Sequence, residues 1–170
     1  MEDPATKSQV LLIHRLWQDV MAGDLPLHKF FDMKKMAQAF LICDLMNNKH
    51  PLAAQNMRYY FNPVTVLAEP ILSEWEELDN NNQSTISSFL EKPLPGTRHY
   101  RFEQMPFLRL VYDNLEFKRH YIREAAKACQ VQFMDQFLLS RKNELDKLVS
   151  RIYRAWPFYE PPYHILYENQ

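Results

Sequence analysis

The sequence predicts an all-α fold: an irregular helical bundle with a long C-terminal helical hairpin and an extended tail rich in proline and aromatic residues. Three observations carry this. Only two glycines, Gly23 and Gly96, occur in 170 residues, whereas a β-rich chain of this size needs many tight turns, and tight turns want glycine. Neither glycine nor proline occurs between Pro106 and Pro157. Apolar residues recur at spacings of three and four over several long stretches, which is the signature of helix faces.

The helices follow in order. A first helix is expected over 6–22, with Val10, Ile13, Leu16, Trp17, Val20 and Met21 on one face and Leu11 and Leu12 widening it. Gly23 is a natural stop, and Asp24-Leu25-Pro26 opens a short turn of helix over 26–31. Asp32 caps the next helix. Its stripe of Met33, Met36, Ala37, Phe40, Leu41 and Leu45 is the cleanest amphipathic pattern in the N-terminal half. A short helix is expected over 51–61, and Asn62-Pro63 reads as a cap with proline at the first helical position. Pro70 breaks that helix and opens another to about residue 78. The polar run Asp79 to Gln83 is a loop, a short helix over 84–91 offers Ile86, Phe89 and Leu90, and 97–105 is an extended connection.

From Pro106 the spacing of Leu108, Val111, Leu115, Lys118, Ile122, Ala125 and Cys129 alternates three and four. The step then becomes four and four through Phe133 and Phe137 to Arg141, and Leu145, Leu148 and Ile152 resume the earlier rhythm. Such a phase shift marks either a local unwinding or two helices. The polar run Ser140 to Asn143 is the expected seam, giving helices over 106–139 and 143–156 in an antiparallel hairpin. A single rod is the alternative.

The tail is different in kind. Between Trp156 and Tyr167 stand three prolines and five aromatic residues, which bias it to extended or polyproline II geometry. Burying each large side chain is worth roughly 1.5 to 3 kcal/mol, so the tail should dock, either on this chain's own helices or on another chain. Domain organisation is therefore one helical domain over 1–155, with a possible sub-boundary in the loop 79–105, and a tail over 156–170.

Composition narrows the function. Apolar residues make up 46% and charged residues 24% of the chain, ordinary for a soluble globular protein that folds without staples. A net charge of −1 supplies no global field toward nucleic acid or membrane. The charge is uneven: 65–92 holds six acidic residues against one lysine, and 98–154 holds twelve Lys and Arg against seven Asp and Glu. Cys43 and Cys129 lie in apolar helical patterns and read as packed free thiols. With no secretory signal and no run long enough to span a bilayer, an intracellular home is expected, nuclear or cytoplasmic.

No chemical motif stands out. The six histidines are scattered, and none has ligand spacing to another histidine or a cysteine. Glu74, Glu76, Glu77 and Asp79 point apart around a helix and do not converge on one ion. Two glycines leave no glycine-rich phosphate loop. No catalytic residue, metal site or cofactor is expected. Two surfaces remain. The aromatic tail residues Trp156, Phe158, Tyr159, Tyr163 and Tyr167 suit partner binding. Lys147, Arg151 and Arg154 form one ridge of the last helix, with Lys118, Arg119 and Arg123 as a second basic cluster, and a ridge of this kind can follow a phosphate backbone. The expected function is a non-enzymatic interaction or adaptor subunit of an intracellular multiprotein complex, with homo- or hetero-oligomers plausible. The alternative is a nucleic-acid-associated helical module.

Overall fold

The computed structural model describes residues 4–46, 48, 50–52, 56–73, 106–161 and 163–168. The expected helix over 84–91, the acidic cluster Glu74, Glu76, Glu77 and Asp79, and the loop 79–105 lie outside them. Among the described residues the protein is mostly helical, with one small antiparallel sheet.

Helix α1 spans Pro4–Ala22. Gly23 ends it as expected, taking φ +85° while its N–H donates to the Val20 carbonyl at 3.1 Å. That backbone region disfavours a residue with a Cβ. Only the second half of α1 packs: Val20 is buried, with Ile13, Leu16 and Trp17 against the core. A short 3₁₀ turn at Leu27–Lys29 then brings Leu27, Phe30 and Phe31 inward.

Helix α2 spans Met33–Leu45, and the Asp32 carboxylate accepts the Lys35 N–H at 3.0 Å as the predicted cap. The predicted stripe faces the core: Met33, Met36, Ala37 and Phe40 are buried, joined by Ala39 and Cys43.

The next segment corrects the all-α expectation. Strands β1 (Arg58–Asn62) and β2 (Leu67–Ile71) pair antiparallel, Tyr60 opposite Glu69 and Tyr59 opposite Pro70. Where the short helix over 51–61 is expected, the described residues form a 3₁₀ turn at His50–Leu52 and, from Arg58, strand β1. The run Arg58-Tyr59-Tyr60-Phe61 alternates exposed and half-buried, the period of a strand, and its aromatic residues suit a pleated surface. Asn62-Pro63 is a hairpin turn and not a helix start. Asn62 Oδ1 accepts the Val64 N–H at 2.9 Å, and its carbonyl accepts the Val66 N–H at 2.8 Å. Val66 closes the turn at φ +58°, a conformation that β-branched residues rarely adopt.

Pro70 sits in a strand for a geometric reason. The Ala68 N–H points away from β1 and donates to the Phe30 carbonyl at 2.7 Å. Two residues on, the Pro70 nitrogen points the same way, so its missing hydrogen removes no bond to β1. The stretch Phe30–Asp32 thus acts as a short third strand, with the Asp32 N–H donating to the Ala68 carbonyl at 3.0 Å. Lys35 reaches Glu69 at 2.6 Å and Asn62 donates to the same carboxylate at 2.7 Å. These two contacts, Lys35 first, hold the Glu69 carboxyl below the usual carboxylate range and tie the hairpin to α2.

Helices α3 (Pro106–Asp113) and α4 (Leu115–Ala128) complete the core. Helix α4 lies along α2. The Phe40 and Phe117 rings meet edge-on at 5.0 Å, and the Tyr121 hydroxyl donates to the buried Asp44 carboxylate. Aromatic rings cluster where α1, the 3₁₀ turn, β1 and α3 converge. Phe31, 0% exposed, sits 5.9 Å from Trp17, 4.7 Å from Phe30, 5.2 Å from Tyr59 and 5.3 Å from Phe107.

The C-terminal half departs from a hairpin of two long helices. Helices α5 (Phe133–Ser140), α6 (Lys142–Ala155) and α7 (Tyr163–Glu168) follow α4. The breaks fall at Asn114, at 129–132 and at Arg141. Asn114 caps α4 by accepting the Phe117 N–H at 2.9 Å, a polar stop that an unbroken helix over 106–139 ignores. The break at 129–132 coincides with the start of the phase shift, and that at Arg141 with the expected seam. Helices α5 and α6 meet at Arg141 without lying side by side, so they do not form a hairpin. The tail is not wholly extended either, since α7 ends it. Cys43 is buried as expected, but Cys129 is exposed.

Truncating Phe31 to alanine empties the ring cluster and should destabilise the protein by about 3–5 kcal/mol, read as a lowered midpoint in urea unfolding. A loss below about 1 kcal/mol would show that the cluster collapses around the gap.

Candidate interaction surface

Helix α6 shows how sequence pattern and tertiary placement part company. Its apolar residues Leu145, Leu148 and Ile152 share one stripe, and Lys147, Arg151 and Arg154 occupy the opposite side, as the spacing predicts. A stripe of this kind ordinarily turns to a core. Here none of the helix's fourteen residues is buried, and Leu148 is 53% exposed. The polar side is held locally: Arg141 reaches Glu144 at 3.4 Å and Lys142 reaches Asp146 at 2.6 Å. Exposed pairs of this type are worth only about 0.3–0.5 kcal/mol each. Among the described residues Lys147, Arg151 and Arg154 have no ion-pair partner.

Helices α5–α7 form an arm, and α5 packs at the end of α4. Its Met134 is buried, while Phe133 and Phe137 stack nearly parallel at 6.4 Å with Phe137 half-exposed.

The aromatic tail divides into two groups. The Trp156 N–H closes α6 on the Ile152 carbonyl at 2.7 Å, and Pro157 prevents the helix from continuing. Trp156 is 59% exposed and Phe158 is 89% exposed. Tyr159 is half-buried, its ring 6.3 Å from Trp156. The chain then turns back. Tyr163 joins Leu138, Leu139, Lys142, Leu145 and Asp146 around a shallow, largely apolar pocket where α5 meets α6. The Tyr167 hydroxyl donates to the Asp135 carboxylate on α5 at 2.6 Å. That bond, with lesser help from burial and the carboxylate's charge, pushes the phenol above its ordinary value. Tyr163 and Tyr167 are therefore engaged within the chain, while Trp156 and Phe158, which follow α6, face solvent.

The second basic cluster stands apart from the first. Lys118 lies over the Tyr112 ring at 4.7 Å, a cation–π contact. Arg119 is exposed on α4, and Arg123 likewise. Because α4 and α6 do not pack along each other, the six basic residues do not make one continuous strip.

Sequence reasoning missed other exposed apolar groups. Val10, Leu11 and Leu12 on the first half of α1, Leu115 and Ile122 on α4, and Val64 at the hairpin tip all face solvent. The signal for α1 is its width: three consecutive apolar residues span too much of a helix to share one face. Among the described residues no group of three metal-ligating side chains converges, and no helix is long and apolar enough to cross a membrane.

The Tyr167–Asp135 bond can be read by titration. A phenol whose pKa is raised by folding contributes stability below its ordinary value, and that stability is lost as pH rises through the folded value. In Asp135→Asn, Tyr167 should ionise at lower pH than in the parent, followed as phenolate absorbance against a Tyr167→Phe control. An unchanged titration would show that the bond is absent in solution. No protein-family model matches this chain, and neither a curated protein nor a solved structure is significantly similar to it.

Proposed function

We propose that the protein is a non-enzymatic helical interaction subunit of an intracellular multiprotein assembly. The arm α5–α7, with Trp156 and Phe158 at its centre, serves as the docking surface for a protein partner. One observation carries this reading: no residue of a fourteen-residue helix is buried, Leu148 and Ile152 of its apolar stripe are exposed, and two exposed large rings, Trp156 and Phe158, follow it in the chain. A helix of that length is marginal in water on its own, and contiguous exposed apolar surface marks interaction sites. Tryptophan at the centre of such a surface is the residue type that dominates interface energetics. Two free thiols, Cys43 and Cys129, suit a reducing compartment, nuclear or cytoplasmic.

The test is a comparison of the full chain with its Trp156→Ala/Phe158→Ser variant, by quantitative crosslinking and co-purification from native cells. Both side chains are exposed, so unfolding midpoints should match within about 0.5 kcal/mol. Partner retention should drop by about thirtyfold or more, with crosslinks in the parent mapping to α5–α7. Full retention of every partner would end the reading.

The unpaired ridge of Lys147, Arg151 and Arg154 favours a second reading, contact with nucleic acid through phosphates. Affinity for single- or double-stranded nucleic acid should then fall steeply with salt, and Lys147→Glu/Arg154→Glu should flatten that dependence by roughly two phosphate contacts. Binding that is absent, or unchanged by the reversal, would remove it.

A further inference from the structure

We propose that α6 pairs antiparallel with α6 of a second copy of this chain, the two apolar stripes meeting and Glu144 of each copy lying beside the partner's Arg151. The inference rests on the reading of the arm as a contact surface and names what covers part of it.

The stripe Leu145, Leu148 and Ile152 steps by three and four, which is the seam spacing of paired helices. Glu144 and Arg151 stand seven residues apart along one edge of that seam. In an antiparallel pair the same edges of the two helices face each other. An acid and a base on one edge then complement themselves: Glu144 meets the partner's Arg151, and twofold symmetry repeats the contact at the other end. The register that aligns these charges sets Leu145 against the partner's Leu148, and the reverse. A parallel pair places opposite edges together, so that Glu144 falls near the partner's Val149 and Arg151 near the partner's Trp156, with neither charge matched by an opposite one. Arg151 has no ion pair among the described residues, and Glu144 has only the long contact to Arg141 at 3.4 Å, with both side chains more than half-exposed. Of the apolar seam, Leu148 and Ile152 are exposed, and Leu145 is half-buried beside Tyr163. No buried residue of the core belongs to α6, so a second copy can approach without unfolding anything.

Fourteen residues make a helix about 21 Å long. A seam of that size lies at the small end of specific interfaces, so the dissociation constant expected is about micromolar. Trp156 and Phe158 are not needed for this pairing and stay available to a different protein.

Sedimentation equilibrium of the full chain, loaded from about 1 to about 300 µM at low salt, tests the proposal. A concentration-dependent monomer–dimer equilibrium is expected. Leu148→Asp should leave a monomer with unchanged circular dichroism of the core. Glu144→Arg and Arg151→Glu should each weaken the dimer about tenfold or more, because each creates two like-charge contacts. The double variant should return to within about threefold of the parent, since the swapped charges pair again. A parent that stays monomeric throughout the range, a Leu148→Asp variant that still dimerises, or a double variant no tighter than the single ones would overturn the pairing. A monomer that still holds a partner through Trp156 and Phe158 removes this inference alone. A dimer that rescues on charge swapping but holds no other protein supports it and removes the adaptor reading.

Discussion

Four rings from four separate pieces of chain close on Phe31: Trp17 from α1, Phe30 from the turn before α2, Tyr59 from β1 and Phe107 from α3. The backbone on either side of Phe31 is held by Ala68 of β2, through one bond from each neighbour. This combination of ring packing and strand pairing places every other element of the core. It sets where α2 begins, because Asp32 both pairs with β2 and caps the helix. It sets the orientation of α2, and hence which residues α4 can pack against. Aromatic contacts add about 0.5–1.5 kcal/mol each beyond the apolar area they bury, so one buried phenylalanine with four ring neighbours concentrates an unusual share of the core's specificity.

The protein is unequal in how it uses burial. From Ile13 to Ala125 the described elements converge on one core, beside which the Tyr121 hydroxyl meets Asp44 Oδ2 and Asn62 meets Glu69. Beyond Ala128 only Met134 is buried among the described residues, and the arm is held by local ion pairs and the bond from Tyr167 to Asp135. Regions with few buried apolar contacts sit at the low end of local stability. In the proposed reading a partner covers the stripe and adds the hydrophobic term that the fold itself leaves unused. The proposals for the arm follow from that imbalance. The return of α7 onto α5 shows that part of the tail's aromatic set is satisfied within the chain, which singles out Trp156 and Phe158 from five residues that composition could not divide.

Some of this is legible in the residues. The cap at Asp32, the stop at Gly23, the core stripe of α2 and the seam near Arg141 are local matters, decided by side-chain hydrogen bonding, backbone freedom and periodicity within a few residues. The strands are not legible in the same way. Asn62-Pro63 and Pro70 carry the same signs in a hairpin as at a helix start, and five-residue runs are too short for period to choose between helix and strand. What decides the matter is a distant segment, Phe30–Asp32, offering backbone partners to β2. The cap at Asn114 is hidden for another reason: an apolar rhythm continues across it.

By itself the sequence determined the largely helical class and the amphipathic pattern of α2 and α6, since each depends on the order of side chains along one stretch. Only the tertiary structure decided which of those faces are covered. α2 and α6 carry stripes of the same kind, and one lies against α4 and β2 while the other meets water. Burial is a property of what stands opposite a residue, and what stands opposite is set by contacts between segments far apart in the chain.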